Sequence, residues 1–447
     1  MASITSIKRV EIFPSGRADS ANTWSYRNGN PTLEFKFSVQ DRYILSDTLR
    51  LNFTLRLKDS GGVAPNNDAQ NGGAASEIRL NCKIGAMACF QNITISNANN
   101  QTLEFVRNFP KLLASLIPAR ANFEDYATVL QQQFSATSNQ EAEGMFNNFD
   151  TQVSSPLLCG IFLQGDPIPL GMNGTGGLSI RLQMSPSIEC LYGANAAGSY
   201  YEIVNPSLTC AMGNPPGGVL PRISAFPYLA YNSYYNVLNN GDENHNINMG
   251  LREVLNVFSN FVPTEWIANN TLDGNSTPNL RNAPYTSAAN DAPIQRYTTL
   301  RSGQKFPFQF AVDETQNITN VGGVQQANFE AQLARNFLSA ISAPIKDLTQ
   351  TLTGNISEAT QAAPSLVGAA PLPLTQQHFN SQGFNVIGVG ARYDQLGEGM
   401  GANFKDRNFS HRIQSTLDGV SPNSIYTFAL SRNMINFNDA GGISVSN

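Results

Sequence analysis

Three histidines, His245, His378 and His411, and five cysteines, Cys82, Cys89, Cys159, Cys190 and Cys210, are the residue types here best suited to nucleophilic, acid–base or metal chemistry. No histidine is near another in sequence, so a Ser-His-Asp arrangement or a His-rich metal centre has little material to use. Asp242-Glu243-Asn244-His245 sets oxygen and nitrogen donors together, a combination able to hold a surface cation, but it reads better as a solvated loop. The cysteines are odd in number and form no CxxC pair. A disulfide framework needs paired cysteines in an oxidising compartment, and zinc needs clustered ligands. Buried free thiols in a chain made in the cytosol are therefore expected. Gly397-Glu-Gly-Met-Gly401 has the glycine density of a phosphate-cradling loop, yet no helical pattern follows it. A dinucleotide fingerprint bridges a strand and a helix, so this stretch reads as a tight turn or bulge. GxSxG, GxxxxGK[ST], HExxH and EF-hand patterns are missing from the sequence. The sequons Asn92-Ile-Thr94, Asn173-Gly-Thr175 and Asn317-Ile-Thr319 occur among 50 asparagines, a density at which chance supplies them. No residue stands out as catalytic, cofactor-binding or metal-binding, no cofactor is expected, and the chain is not expected to be an enzyme.

Binding chemistry leaves more room. Lys8, Arg9, Arg17 and Arg27 outnumber Glu11 and Asp19 in the first thirty residues, so an N-terminal arm could meet DNA without reading its sequence. An ordinary flexible terminus is the plainer reading. Trp24, Trp266 and the Tyr231 to Tyr235 cluster could line a carbohydrate- or receptor-binding groove, although such aromatics more often fill cores. A β-sandwich glycosidase or lyase would need a carboxylate pair about 5–9.5 Å apart in a cleft, which 33 acidic residues leave open.

The elements that must position these groups follow from composition and periodicity. The chain has 447 residues, 41% hydrophobic and only 14% charged, against roughly 25% charged in a typical soluble domain. Twenty-eight basic and 33 acidic residues give −5, too weak a field to favour nucleic acid or an anionic membrane. Uncharged turn formers fill the polar surface: 50 Asn, 36 Gly and 24 Pro. That composition excludes a helical bundle or coiled coil. The N-terminus lacks the apolar run of a secretory signal, and no stretch of about 18 apolar residues predicts a membrane helix.

Leu33 to Val39 and Leu49 to Leu57 alternate apolar and polar residues with period two, as half-buried strands do. Further strands are predicted at 92–96, 178–184, 200–210, 254–261, 306–312, 384–389 and 424–430. Helical spacing appears at Asn122 to Phe134 and again from Asn328, both opening Asn-Phe-Glu, and predicts one helix over 122–134 and another over 328–341. The repeated opening, with strands on either side of each, points to two similar β domains in tandem. Gly213-Asn-Pro-Pro-Gly-Gly218 reads as their connector. Lys58 to Ser76, Ala268 to Pro293 and Gly354 to Pro373 read as long surface loops. The predicted division is an N-terminal arm over 1–30, sandwiches over 31–212 and 219–436 around a 213–218 linker, and a tail over 437–447.

Three stretches resemble the double jelly-roll major capsid proteins of tailless icosahedral double-stranded DNA viruses, the virophage and polinton-like branch above all. Pro156-Leu-Leu-Cys-Gly-Ile-Phe162 with Ile168-Pro-Leu170 and Gly176 to Met184 is similar to the late strands of the family's first roll. Tyr201 to Cys210 ahead of Pro215-Pro216 resembles that roll's closing strand and linker. Ala429 to Asn436 and Gly441-Gly-Ile-Ser-Val-Ser-Asn447 resemble the terminal strand and Gly-Gly tail. The resemblance implies an all-β chain of two tandem antiparallel jelly rolls, each with a short helix in a loop. It implies a structural subunit that forms homotrimeric, pseudo-hexameric capsomers tiling an icosahedral shell around a DNA genome. Implied partners are neighbouring capsomers, minor capsid and penton proteins, and packaged DNA met non-specifically by the arm. The implied location is the virion, after synthesis in the host cytoplasm. The alternative is a secreted or surface β-sandwich that binds carbohydrate or a receptor.

Overall fold

The computed structural model describes residues 4–16, 22–29, 31–65, 78, 80, 84–120, 150–164, 166–171, 175–191, 197–221, 223–238 and 241–263, with the segments 308–312, 315–316, 386–390, 409–415, 423–437 and 443–446 beyond them. The described strands form three sheets. The first holds β1 (Thr5–Ile12), β2 (Thr23–Trp24), β4 (Tyr43–Lys58), β7 (Thr151–Pro156), β8 (Ile168–Pro169) and β10 (Tyr200–Asn214). Its order is β1-β10-β4-β7, with β2 on β10 and β8 on β4. The second sheet is nine-stranded. From one edge it runs β16 (Val386–Gly390), β13 (Val254–Pro263), β18 (Asn423–Phe437), β11 (Ala225–Leu238), β6 (Thr102–Val106), β5 (Phe90–Asn97), β9 (Leu178–Met184) and β3 (Thr32–Phe37). β19 (Ile443–Ser446) pairs with β18. The third sheet is β12 (Gly241–Ile247), β17 (Phe409–Ser415), β14 (Phe308–Val312) and β15 (Thr315–Gln316). Every described pairing is antiparallel except β6 with β11, where the two halves of the chain meet in parallel.

β4 shows why the sandwich forms. Leu49, Leu51, Phe53, Leu55 and Leu57 are all buried, and Phe53 meets Phe90 of β5 edge to face at 5.7 Å, so the first sheet packs on the second. The other face carries a polar ladder with few charges. Asn52 donates to Thr209 and accepts from Ser154, and Gln152 donates to Thr54. Arg56 grips Asp150 with two bonds of 2.8 and 2.6 Å, and Glu202 lies 3.5 Å away. In the second sheet Asn92 donates to its cross-strand partner Gln183 at 2.8 Å. Uncharged cross-strand pairs of this kind explain how so low a charge content suffices.

The asparagine excess has a second cause. Asn22, Asn100, Asn108 and Asn205 adopt positive φ, with Ser6 the one other non-glycine doing so among the described residues. Asn205 sits where β10 breaks register between Val204 and Ser207, and Asn22 donates to its side chain at 2.8 Å. Asn108 opens α1 (Phe109–Arg120), its carbonyl accepting from Lys111 at 2.8 Å, and Leu112, Leu113 and Leu116 of that helix are buried.

Several expectations change in detail. Residues 5–12, read as part of an arm, form edge strand β1 on β10; the bulge between Thr5 and Lys8 breaks the alternation that would have revealed it. Residues 443–446 of the expected tail form β19. β10 runs on to Asn214, and the connector narrows to a 3₁₀ turn at Pro216–Gly218, where Gly217 and Gly218 take φ of 76° and 80°. α1 precedes the helix predicted over 122–134 and was not itself predicted. The predicted helices at 122–134 and 328–341 and the loops 268–293 and 354–373 lie outside the described residues, as do 66–76 of the first predicted loop. Asp242 to His245 belong to β12 and not to a loop.

Candidate functional site at the seam of the two halves

β6 reads Thr-Leu-Glu-Phe-Val, and its acid points inward. Glu104 is 2% exposed while Phe105 is 38% exposed, the reverse of what side-chain polarity favours. Glu104 Oε1 accepts from the backbone N–H groups of Gly160 at 2.8 Å and Tyr231 at 2.9 Å, and Oε2 accepts from Ile161 at 3.1 Å. Gly160 and Ile161 open the short helix α2 (Gly160–Leu163), and Tyr231 lies on β11. One carboxylate thus ties β6 and α2 of the first half to β11 of the second.

Other bonds run across the same line. Tyr228 donates its hydroxyl to the Leu103 carbonyl at 3.0 Å, Leu229 N–H donates to Gln164 Oε1 at 3.0 Å, and Arg107 N–H donates to Ser233 Oγ at 2.8 Å. Gly160 must be glycine for close approach: a Cβ there would stand 2.8 Å from both Ala230 Cα and the Leu229 carbonyl. Farther along, the Lys111 ammonium of α1 lies 5.3 Å from the Tyr426 ring centroid of β18, and Tyr426 packs on Tyr235 at 5.3 Å. Beside it Gln91, Asn108, Lys111, Ser185 and Glu189 line a water-sized cavity.

Burial raises the Glu104 carboxyl from its ordinary 4.5 to about 7, against the opposing pull of the three N–H donors. Cys159 and Tyr228 are the titratable groups that feel its charge, and burial together with Glu104 pushes both upward. The arrangement offers a single enclosed acid, and its three donors are main-chain groups that fix position. Its chemistry is that of a clamp.

The residues singled out by sequence fall elsewhere. Trp24 and Tyr231 are buried in the core, while Tyr235 is half exposed against Tyr426; Trp266 lies outside the described residues. Register places His245 of β12 opposite His411 of β17, and His378 lies outside the described residues. Lys8 and Arg9 sit on β1, Arg27 lies 4.6 Å over the Tyr200 ring, and Arg17 lies outside the described residues. Cys89, Cys159, Cys190 and Cys210 are free and buried, and Cys82 is outside the described residues. Gly397 to Gly401 is also outside. Among the described residues no three His, Cys, Asp or Glu side chains cluster as metal ligands, and no helix is long and apolar enough to cross a membrane. Sequence reading missed Glu104 because an acid between two apolar residues in a short strand looks like an outward residue. Gly160, in the stretch Leu-Cys-Gly-Ile-Phe, carried the one available signal.

No protein-family model matches the chain, and no curated protein matches it. Solved structures do. PBCV-1 VP54, solved as a crystal structure and fitted into a reconstruction of the virophage Sputnik, aligns over 100% of this chain and 97% of its own, at 10% identity and a TM-score of 0.56. The mavirus major capsid protein aligns over 100% and 92%, at 14% identity and 0.51. The Faustovirus major capsid protein aligns over 98% and 91%, at 10% identity and 0.53. The chain has the double jelly-roll fold. Within that fold, β6 and β11 are the strands where one roll's sheet continues into the other's, and Glu104 sits on that junction. Pro156 to Phe162, similar to late strands of the first roll, closes β7 and then turns into α2 to reach the junction. Gly176 to Met184 supplies β9 as expected.

Proposed function

We propose that this chain is a major capsid protein, the structural subunit of an icosahedral shell around a double-stranded DNA genome. The supporting observation is the nine-stranded sheet that runs through both halves, in a chain whose fold aligns end to end with capsid proteins. Two rolls joined in this way make one wedge. Three wedges around a three-fold axis present six similar rolls, a pseudo-hexameric block that tiles a facet with closed cyclic symmetry. In this reading the first roll runs from β1 to β10 and the second from β11 to β19, with the turn Pro216–Gly218 between them. The trimer interface is apolar and extensive, and contacts between capsomers are smaller and more polar. Neighbouring capsomers and minor capsid and penton proteins are the partners, and basic residues near the N-terminus, Lys8, Arg9 and Arg17, face the packaged DNA. The subunit performs no catalysis; it is made in the host cytoplasm and ends in the virion.

Size exclusion with light scattering tests the proposal. The expected mass is three times 48.4 kDa, with hexagonal outlines in negative stain. A stable monomer at micromolar concentration overturns it.

A further inference from the structure

β1 is the outermost strand of the first sheet, and among the described residues nothing pairs with its free edge. Thr5 to Arg9 and Glu11 are exposed, and only Val10 and Ile12 are half-buried against the core. The free edge therefore presents a row of unused N–H and C=O groups, which is a template for another strand. Its bulge lies at the start, between Thr5 and Lys8, where Ser6 takes a φ of 51°. From Lys8 to Ile12 the register against Met212 to Leu208 is unbroken, a regular stretch centred on Val10. Ile7 is 59% exposed and Phe13 64% exposed, one at each end of that stretch.

Lysines alone along an edge repel a second copy of it. β1 instead reads Lys8-Arg9-Val10-Glu11, with opposite signs on either side of Val10, and among the described residues neither Arg9 nor Glu11 has an ion-pair partner. Two identical antiparallel strands related by a two-fold axis must be centred on one residue facing itself, because successive positions alternate in hydrogen-bond type. Centring on Lys8, Arg9 or Glu11 sets like charges directly opposite, which is destabilising. Centring on Ile7 or Ile12 runs the pairing into the bulge or into Pro14 and forms no opposite-charge pair. Centring on Val10 sets Arg9 of each copy against Glu11 of the other, and Ile7 of each toward Phe13 of the other.

We propose that β1 is a docking edge for β1 of a second copy of the chain, an isologous contact in which two antiparallel strands pair about Val10 and join the first sheets of two subunits. The pairing occupies the strand's edge. Arg9 and Glu11 lie on the polar face of the sheet, where Glu11 stands opposite Thr209 of the side-chain ladder, so that face stays open. In the capsid reading this contact joins neighbouring trimers, because a three-fold axis cannot set a strand antiparallel to itself. The contact does not depend on that reading.

The test is sedimentation velocity of the purified full chain over a concentration series, with charge variants. The unmodified protein should double in mass, from whichever closed unit it forms, as concentration rises. Arg9→Glu and Glu11→Arg should each weaken that doubling at least about tenfold, since both cross-strand attractions become repulsions. Mixed in equal amounts, the two variants should associate with each other as the unmodified protein does with itself, because each supplies the charge the other lacks. The variant carrying both changes should again pair with itself. A merely structural role for either residue cannot produce that rescue. Amide exchange gives a reading on the unmodified protein: outer-edge amides between Lys8 and Ile12 should slow as the mass doubles. Absence of doubling, single variants that double normally, a mixture that stays apart, or exchange that slows only when DNA is added would each overturn the proposal. Doubling from a monomer, with no trimer at any concentration, would overturn the capsid reading and leave this contact standing.

Discussion

Replacing Glu104 by glutamine separates the two opposing influences on the seam. The folded carboxyl titrates near 7 because burial outweighs its three N–H donors, while the unfolded chain titrates near 4.5. Between those values the folded state binds the extra proton, so stability is complete below about 4.5 and is lost as pH rises through 7. The interval from 4.5 to about 7 corresponds to about 3 kcal/mol. Most of it falls between pH 5 and pH 8. Glutamine keeps one acceptor for Gly160 and Tyr231 but turns a donor toward Ile161, leaving that N–H unmade at a cost of about 1–3 kcal/mol. Glu104→Gln should therefore be the less stable protein at pH 5, with the gap closing or reversing by pH 8. In thermal midpoints the difference between the two proteins should move by roughly 2–3 °C across that range for a chain of this size. Taking the difference cancels every other titrating group. A gap that stays constant would show that Glu104 does not titrate in this window. A constant gap is also the outcome expected if the three N–H donors win and hold the carboxylate ionised, because it would then titrate below this window.

Three other substitutions probe the layers that support this seam. Gly160→Ala places a methyl group 2.8 Å from main-chain atoms of Leu229 and Ala230, which cannot rotate away; a loss of about 1–3 kcal/mol in chemical denaturation is expected, and a neutral result contradicts the close approach. Leu51→Ala, at a fully buried position on β4, should cost about 2–5 kcal/mol, and a smaller loss would mean the two sheets collapse onto the cavity. Arg56→Met breaks a two-bond grip on Asp150, but Arg56 and Asp150 are 33% and 44% exposed, so the cost should stay below about 1 kcal/mol and vanish in 1 M salt.

Sequence legibility tracked how many faces of a strand are buried. Leu178 to Met184 and the Leu49 to Leu57 stretch of β4 alternate because one face meets the core and the other the polar ladder, and both were read correctly. β11 was not read as a strand, although it lies at the middle of the second sheet. Tyr228, Leu229, Ala230 and Tyr231 are all buried, since β11 has β18 and β6 as neighbours and α2 packs against it. A strand covered on both faces has no alternation to display. β18 is likewise buried without a break over 424–431 and shows no alternation, yet its apolar and aromatic content was enough for a strand to be predicted at 424–430. Glu104 was illegible for a different reason. Its partners are main-chain N–H groups of Gly160, Ile161 and Tyr231, which carry no residue signature, and they lie 56, 57 and 127 positions away.

Those main-chain partners also explain what apolar packing alone would leave undetermined. Burial of apolar surface is non-directional and roughly proportional to area, so two sandwiches pressed together by it can slide or tilt at little cost. A parallel strand pair fixes one register, Asn232 opposite Phe105, and three further bonds repeat it: Tyr228 to Leu103, Leu229 to Gln164, and Arg107 to Ser233. A slip by one residue would strand several of these groups and leave the buried Glu104 short of a donor, a penalty of about 1–3 kcal/mol for each unmade bond. The short Pro-Gly-Gly turn joining the halves could not impose such an orientation, because glycines at positive φ bend freely. The seam fixes the orientation of one half against the other through main-chain bonds, identically in every copy of the chain.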